Sequence, residues 1–184
     1  FSKQNRIITM VTRSAEVGNS PYLFVFNPGN EIAYQNVSEH FVREFKDANV
    51  IILDVKDGNS NTRRNQFTQE LKVELSAKGM NVKSLSIDSD ESAMKSALSN
   101  VRRNVIVPNS ANTQLLQRRL LPVWKEFAEE NPKYRISLFG YQEWMALATE
   151  LKAQFYALDT YVYSKWWLNP NNAATKQLAD TYQY

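Results

Sequence analysis

The amino-acid sequence predicts a three-layer α/β domain in which helices cover both faces of a mostly parallel sheet, as in Rossmann-like and flavodoxin-like folds. Short runs rich in β-branched residues alternate with longer amphipathic stretches, which is typical of repeated βα units. Residues 50–53 and 105–107 are uninterrupted apolar runs, as expected for strands with a helix layer on each face. The chain has 184 residues, 43% of them hydrophobic, so it can bury the core of one such domain.

Seven strands are predicted from the short β-branched and aromatic runs. They cover residues 6–12, 22–26, 50–55, 82–87, 105–108, 135–139 and 158–163. The runs at 50–55, 82–87, 105–107 and 135–139 are expected to form the core of the sheet. Right-handed crossovers through the intervening helices should join them.

Two helices are predicted before residue 80. Asn30 can cap a helix that runs to residue 47, and Asn61 or Thr62 opens a second helix. Gly79 follows the second helix where a glycine commonly ends one. The apolar residues expected on the buried faces recur at helical spacing. They are Ile32, Ala33, Val37, Phe41 and Phe45 in the first helix, and Phe67, Leu71 and Leu75 in the second.

Four further helices are predicted. Ser89 or Asp90 caps a short helix through residue 98, and Asn112 or Thr113 opens one that ends before residue 132. Pro122 lies inside the latter helix and predicts a kink or a break there. Residues 142–148 and 173–182 are predicted as short helices. The inward residues expected between 112 and 131 are Leu115, Leu116, Leu120, Trp124, Phe127 and Ala128.

Composition and charge exclude several classes of protein. No window approaches the roughly 18 apolar residues of a membrane span, so no span is predicted. The chain has no cysteine, which excludes disulfides, thiolate metal sites and cysteine nucleophiles. The net charge of +3 arises in residues 61–120, where arginine pairs stand at 63–64, 102–103 and 118–119. No aromatic residues are interleaved with these pairs, so we predict solvated helix ends and no nucleic-acid site.

The loops that follow the strands are the candidate ligand sites. Ligands of parallel α/β sheets bind at the carboxyl ends of the strands, beside helix N-termini. These loops cover residues 27–30, 54–64, 88–90, 108–112 and 139–144, and they are rich in Asn, Ser, Asp and Gln. Such residues can bind a ligand, but they also cap helices and shape turns.

No catalytic residue, metal site or cofactor is predicted. Neither glycine-rich nucleotide-binding motif occurs, and the single histidine, His40, falls inside a predicted helix. Two carboxylates keep open the alternative of a small-molecule-binding or catalytic domain. Asp54 ends a central strand like the phosphoacceptor of a receiver domain, but the other acidic residues and the lysine of that chemistry are missing. Glu143 beside Trp144 could act as an acid in a hydrolase-like apolar pocket, although no second carboxylate is placed to assist it.

Several segments, in order along the chain, resemble the second lobe of type I periplasmic binding proteins of the branched-chain amino-acid receptor type. They read SPYLFVFNP at 20–28, NVIILD at 49–54, VIVPNSAN at 105–112 and RISLFGYQEW at 135–144. Residues 158–170 resemble the returning strand and the turn before the last helix of that lobe. More narrowly, the chain resembles the receptor-like regions attached to LysM peptidoglycan-binding modules in envelope proteins of Bacteroidetes-type bacteria.

The resemblance implies a non-enzymatic recognition domain of the periplasm or outer envelope. Residues 1–20 would hold the end of a first-lobe strand and the hinge, and residues 21–184 the second lobe. The implied partners are a small polar ligand, peptide or glycan, and a first lobe of the same parent chain that is missing here. The family's three ligand-facing loops map onto Asn59 and Ser60, onto Asn109 and Ser110, and onto Tyr141, Gln142 and Glu143. The third loop keeps an acid, Glu143, that is suited to an amino group.

The C-terminal part of the chain is rich in aromatic residues. Residues 151–184 hold 8 of the 22 aromatic residues, which is enough to stack on sugars or to anchor a partner. We therefore expect Tyr163, Trp166 and Trp167 to contact a partner or a glycan. The alternative is that alternate aromatic residues of the last strand pack on the core.

Overall fold

A computed structural model of the chain describes residues 9–11, 23–25, 30–55, 62–164 and 173–182. All seven predicted strands are present. They are β1 (Thr9–Val11), β2 (Leu23–Val25), β3 (Asn49–Asp54), β4 (Val82–Ser86), β5 (Asn104–Pro108), β6 (Ile136–Gly140) and β7 (Tyr161–Val162). β1 and β2 form a two-stranded parallel sheet, and the other five form an all-parallel sheet in the order β4-β3-β5-β6-β7.

Seven helices accompany these strands in the described part of the chain. They are α1 (Asn30–Glu44), α2 (Thr62–Ala77), α3 (Glu91–Ala97), α4 (Thr113–Leu115), α5 (Leu121–Glu130), α6 (Lys152–Ala157) and α7 (Ala173–Tyr182). A π-helical segment (Leu116–Leu120) joins α4 to α5, and a 3-10 helix (Gln142–Leu147) follows β6. With helices on both faces of the five-stranded sheet, the predicted three-layer, Rossmann-like α/β fold is confirmed.

The two apolar runs singled out in the sequence form the centre of this sheet. β3 and β5 pair in parallel with Val50 opposite Val105 and Ile51 opposite Ile106, and these four side chains are fully buried. The run at 82–87 was expected among the core strands, but β4 is an edge strand with one buried side chain, that of Leu85. An edge strand has a neighbour on one side only, so polar residues such as Lys83 are accommodated.

Each face of the sheet is covered by its own helices. On one face, Phe41 and Phe45 of α1 and Phe67 of α2 surround Phe139 of β6, with ring centroids 4.9, 6.1 and 6.2 Å from it. On the other face, residues of α3, the π-helical segment and α5 approach the paired Leu53 and Leu85. They are Met94, Leu120 and Trp124.

The prediction that Ile32 lies on the buried face of α1 is wrong, because its side chain is 58% exposed. Ala33, Phe41 and Phe45 are buried as predicted, together with Tyr34, and these positions lie one or two turns apart. Ile32 precedes Ala33 by one residue, which rotates it about 100° away from the buried face.

Helix ends follow the predicted signals. Asn112 caps α4 through its Oδ1, which accepts from the N–H groups of Gln114 and Leu115 at 3.0 and 3.2 Å. Gly79, with φ of 68°, follows the end of α2. The disturbance expected at Pro122 is the π-helical segment just before it, where the Leu121 N–H donates to the Leu116 carbonyl. A proline cannot donate to the preceding turn and crowds it, and a wider turn relieves both problems. No helix among the described residues is long and apolar enough to cross a membrane.

Candidate functional site

The strand order places a topological switch point between β3 and β5. The chain leaves β3 for β4 on one side and later reaches β5 on the other side, so the loops after β3 and β5 run apart. In open α/β sheets such a point forms the crevice in which ligands bind. Here it lies between Asp54, which ends β3, and Asn109, which follows β5. We define the C-terminal rim as residues 54–55, 109–112 and 141–144.

Asn109 bridges this crevice. Its Nδ2 donates to Asp54 Oδ1 at 2.8 Å, and its Oδ1 accepts from the backbone N–H of Val55 at 2.9 Å. Its backbone N–H donates to the Leu53 carbonyl at 3.0 Å. One side chain thus ties the exits of β3 and β5 together, while the Asp54 carboxylate stays exposed beside it.

Aromatic side chains close the rim at the end of β6. Tyr141 is 1% exposed, and its hydroxyl donates to the Pro108 carbonyl at 2.7 Å. Trp144 is fully buried over Gly140, where a methyl group on the glycine would overlap the six-membered ring of the indole. The indole Nε1 is buried without a hydrogen-bond partner among the described residues. The close approach of ring and backbone explains why a glycine ends β6.

The structure brings the predicted residues of the second and third loops together on the C-terminal rim, but at different depths. Ser110 and Tyr141 are buried, Asn109 and Gln142 are half-buried, and Glu143 is exposed. A ligand that approaches the rim therefore meets Asn109, Gln142 and Glu143 first. Tyr141 holds the end of β5 from beneath the surface, an orientation that the sequence pattern did not reveal. The first-loop residues Asn59 and Ser60 lie outside the described residues.

The electrostatics of the rim favour a neutral or positively charged polar group. The side-chain oxygen of Asn112 already accepts from the first N–H groups of α4, so these donors are not available to an anion. Asp54 and Glu143 add two exposed carboxylates among the described residues of the rim. An ammonium group or a hydroxyl-rich molecule fits this surface better than a free anion does.

The hydrolase-like hypothesis for Glu143 required an apolar pocket around its carboxyl group. Among the described residues, Trp144 turns into the core while Glu143 is exposed, so no apolar pocket surrounds the Glu143 carboxyl group there. Within the described ranges, no three His, Cys, Asp or Glu side chains gather to hold a metal ion.

A small cavity lies beside the rim, between the ends of β3 and β4 and helix α5. Its volume of about 20 Å³ has room for roughly one water molecule. Arg119 and Asp88 form an ion pair at 2.7 Å, and Arg119 also lines the cavity. The cavity is too small for a ligand of the size of an amino acid.

Tyr163 packs within the core rather than standing clear of it. Its ring is half-buried, with centroids 5.3 Å from Phe67, 6.5 Å from Phe139 and 5.8 Å from Tyr141. For Tyr163 the structure therefore agrees with the alternative prediction, that aromatic residues of the last strand pack on the core. Only the exposed part of its ring can contact a partner. Trp166 and Trp167 lie outside the described residues.

The opposite end of the sheet holds an interaction that the sequence pattern missed. Arg102 and Arg103 were expected at a solvated helix end, but they lie in the loop that enters β5. Arg103 forms an ion pair with Asp159, and its Nε donates to Ser137 Oγ at 2.8 Å. Its guanidinium also lies 5.3 Å from the centre of the Phe45 ring. Of the two arginines, Arg103 therefore links β5, β6 and β7 instead of being solvated.

Comparison of the chain with protein-family models, with curated proteins and with solved structures returned no significant match.

Proposed function

We propose that this chain is a non-enzymatic recognition lobe of an envelope receptor that resembles type I periplasmic binding proteins. Its C-terminal rim would bind a small polar ligand, peptide or glycan against a first lobe of the same parent chain. The proposed location in the periplasm or outer envelope, and the proposed link to peptidoglycan, rest on the resemblance of the sequence alone.

The observation that carries this proposal is the separate parallel pair β1–β2. Thr9 lies opposite Leu23 and Val11 opposite Val25, and within the described residues neither strand joins the five-stranded sheet. Parallel strands occur in sheets that helices cover on both faces, and a two-stranded sheet is marginal by itself. Such a pair is expected at the edge of a second sheet, as a first lobe would supply.

This proposal moves the boundary between the lobes. The resemblance of the sequence predicts a boundary after residue 20, with β2 in the second lobe. Because β2 pairs with β1 and with no strand of the larger sheet, we now assign both strands to the first lobe. The second lobe then begins between β2 and α1.

The chemistry of the rim supports recognition of a polar ligand that carries an amino group or hydroxyl groups. Asn109 and Gln142 offer amide groups, and Glu143 offers an exposed carboxylate. Asp54 lies beside Asn109 at hydrogen-bond distance. A single lobe encloses no ligand, so water still reaches every contact, and affinity in this chain alone should be low.

Isothermal titration calorimetry tests the proposal with amino acids and muropeptide fragments, against this chain and against a two-lobe protein that contains it. We expect weak binding by the chain alone and binding at least about tenfold tighter by the two-lobe protein. Glu143→Ala and Asn109→Ala should weaken the latter, whereas Glu126→Ala, a matched exposed carboxylate on α5, should not.

Two outcomes would count against the proposal. Tight binding by the lone chain that survives both rim substitutions would place the site elsewhere, for instance on the aromatic stretch over residues 161–167. Turnover of any titrated compound, seen as a heat that continues after mixing, would indicate an enzyme.

A further inference from the structure

The end of the sheet opposite the C-terminal rim is strongly basic. The loops that enter β3 to β7 all lie at this end, because the strands are parallel. Together they hold six cationic side chains and two carboxylates, although the whole chain has a net charge of only +3. We call this set the basic edge. Its cations are Lys46, Lys78, Arg102, Arg103, Lys133 and Arg135, and its carboxylates are Asp47 and Asp159.

Two adjoining grooves gather most of these cations. Lys46, Arg102, Arg103 and Arg135 line an open groove of about 470 Å³. Lys46 also lines the neighbouring groove with Lys78 and Arg43, where Glu39 and Glu74 add two carboxylates, so Lys46 joins the two grooves. Lys46, Lys78 and Arg102 are exposed, and none of them forms an ion pair with a described carboxylate. Their charges are therefore available to a partner.

The loop that carries Arg102 is held in place before any partner arrives. Ser99 donates its backbone N–H to Asn104 Oδ1 at 2.7 Å, and its Oγ accepts from the N–H of Arg102 at 3.0 Å. Arg135 Nη2 donates to the Val101 carbonyl at 3.1 Å. A preorganised loop loses little conformational entropy on binding.

We propose that the basic edge docks an acidic segment of a partner protein. The cations spread over four loops, which suits an extended polyanion better than a single small ion. Val101 is 77% exposed in the same groove and offers an apolar contact, as interfaces between proteins do.

The carboxylates in the groove that Arg102 lines favour a peptide over other polyanions. Glu44 and Asp47 line it together with the cations. A nucleic acid or polyphosphate carries a charge on every unit and would be repelled at these points, whereas a peptide can place a neutral residue there. An anionic membrane would also be repelled by these carboxylates. It would gain little from apolar insertion here, because Val101 is a small side chain.

The test is fluorescence anisotropy of a labelled peptide in which glutamate alternates with serine, titrated with the full chain at low ionic strength. We expect the double substitution Lys46→Ala, Arg102→Ala to weaken binding about tenfold, since two exposed charges at the centre of the surface are lost. The matched control, Lys72→Ala with Arg118→Ala, also removes one exposed lysine and one exposed arginine and should change affinity less than about twofold. The charge-keeping exchange Lys46→Arg, Arg102→Lys should retain binding.

The proposal is overturned if the chain does not bind the peptide, or if the two alanine pairs weaken binding equally. It is also overturned if polyphosphate, or vesicles containing phosphatidylglycerol, bind more tightly than the glutamate–serine peptide at equal charge. None of these outcomes bears on ligand binding at the C-terminal rim, because the two surfaces lie at opposite ends of the sheet.

Discussion

At the scale of single residues, Asn104 organises the entry to the central strands. It is fully buried, and its Oδ1 accepts from Asn49 Nδ2 at 2.8 Å and from the Ser99 N–H at 2.7 Å. Its Nδ2 donates to the carbonyl groups of Ser99 and Arg135 at 2.9 and 3.2 Å. All four hydrogen-bonding positions of the amide are thus used, which is what allows a polar side chain to lie in the core.

Asn104→Ala should therefore lower the free energy of unfolding by about 3 kcal/mol. The substitution leaves buried partners without a hydrogen bond, which costs more than the bond itself contributes. Urea denaturation followed by circular dichroism measures the change. Asn36→Ala, at an exposed position of α1, serves as the control and should stay within about 0.5 kcal/mol of the wild type. A loss below about 1 kcal/mol for Asn104→Ala would show that water replaces the amide.

The indole of Trp144 lies so close to Gly140 that it leaves no room for a side chain at position 140. Gly140→Ala should lower stability by about 2 kcal/mol, because the added methyl overlaps the buried indole and forces it to move. A double-mutant cycle with Trp144→Leu checks this explanation. If the cost of the alanine persists unchanged when the indole is absent, the overlap is not its cause.

The sequence predicted that Asn109 and Tyr141 lie at the same edge of the sheet but not how deep each one lies. Asn109 and Tyr141 follow strands, so the parallel topology alone brings them to one edge. Whether a rim side chain points into the core depends on its neighbours in space. Tyr141 is buried because the Pro108 carbonyl and Phe67 lie across from it, and no local pattern contains that information.

At the scale of secondary-structure elements, the conformation of Gly79 determines how α2 ends. Its φ of 68° lies in the left-handed region, and open space surrounds the position of a missing Cβ. Gly79→Ala should therefore cost about 1 kcal/mol through backbone strain alone. Gly79→Asn should cost less, because asparagine tolerates this conformation best among the other residues. Thermal unfolding measures both variants, and equal losses would argue against backbone strain.

Most elements could be predicted because their signals are local. The strands that begin at Asn49 and Asn104 are continuous apolar runs, and Asn112 carries its capping oxygen next to the helix it starts. Helix α6 was not predicted. It is six residues long with no buried side chain, so its sequence lacks a buried stripe that would mark a helix. The edge position of β4 was missed for another reason, since strand order depends on contacts between distant segments.

At the scale of the whole molecule, the pair β1–β2 should be weakly held in this chain and firmly held in a two-lobe protein. A two-stranded sheet opens easily, so the amide groups of Thr9–Val11 and Leu23–Val25 should exchange with solvent nearly as fast as unprotected ones. Hydrogen exchange followed by mass spectrometry makes the comparison. Strong protection of both strands in the chain alone would show that they need no further sheet.

The charge distribution is also a property of the whole molecule. The basic edge and the C-terminal rim lie at opposite ends of one sheet, and the rim shows the exposed carboxylates of Asp54 and Glu143. The two surfaces therefore attract different chemistry, and under the two proposals the chain binds its ligand at one end and a partner protein at the other.

The central claim is that recognition occurs on the C-terminal rim. The most direct test maps the amide chemical shifts of the isotope-labelled two-lobe protein during titration with muramyl dipeptide and with a pool of amino acids. The account predicts that, within this lobe, the largest changes fall on Val55, on residues 109–112 and on residues 142–144, with none at the basic edge. Changes centred on the loops that enter the strands, or on residues 161–164 alone, would contradict it.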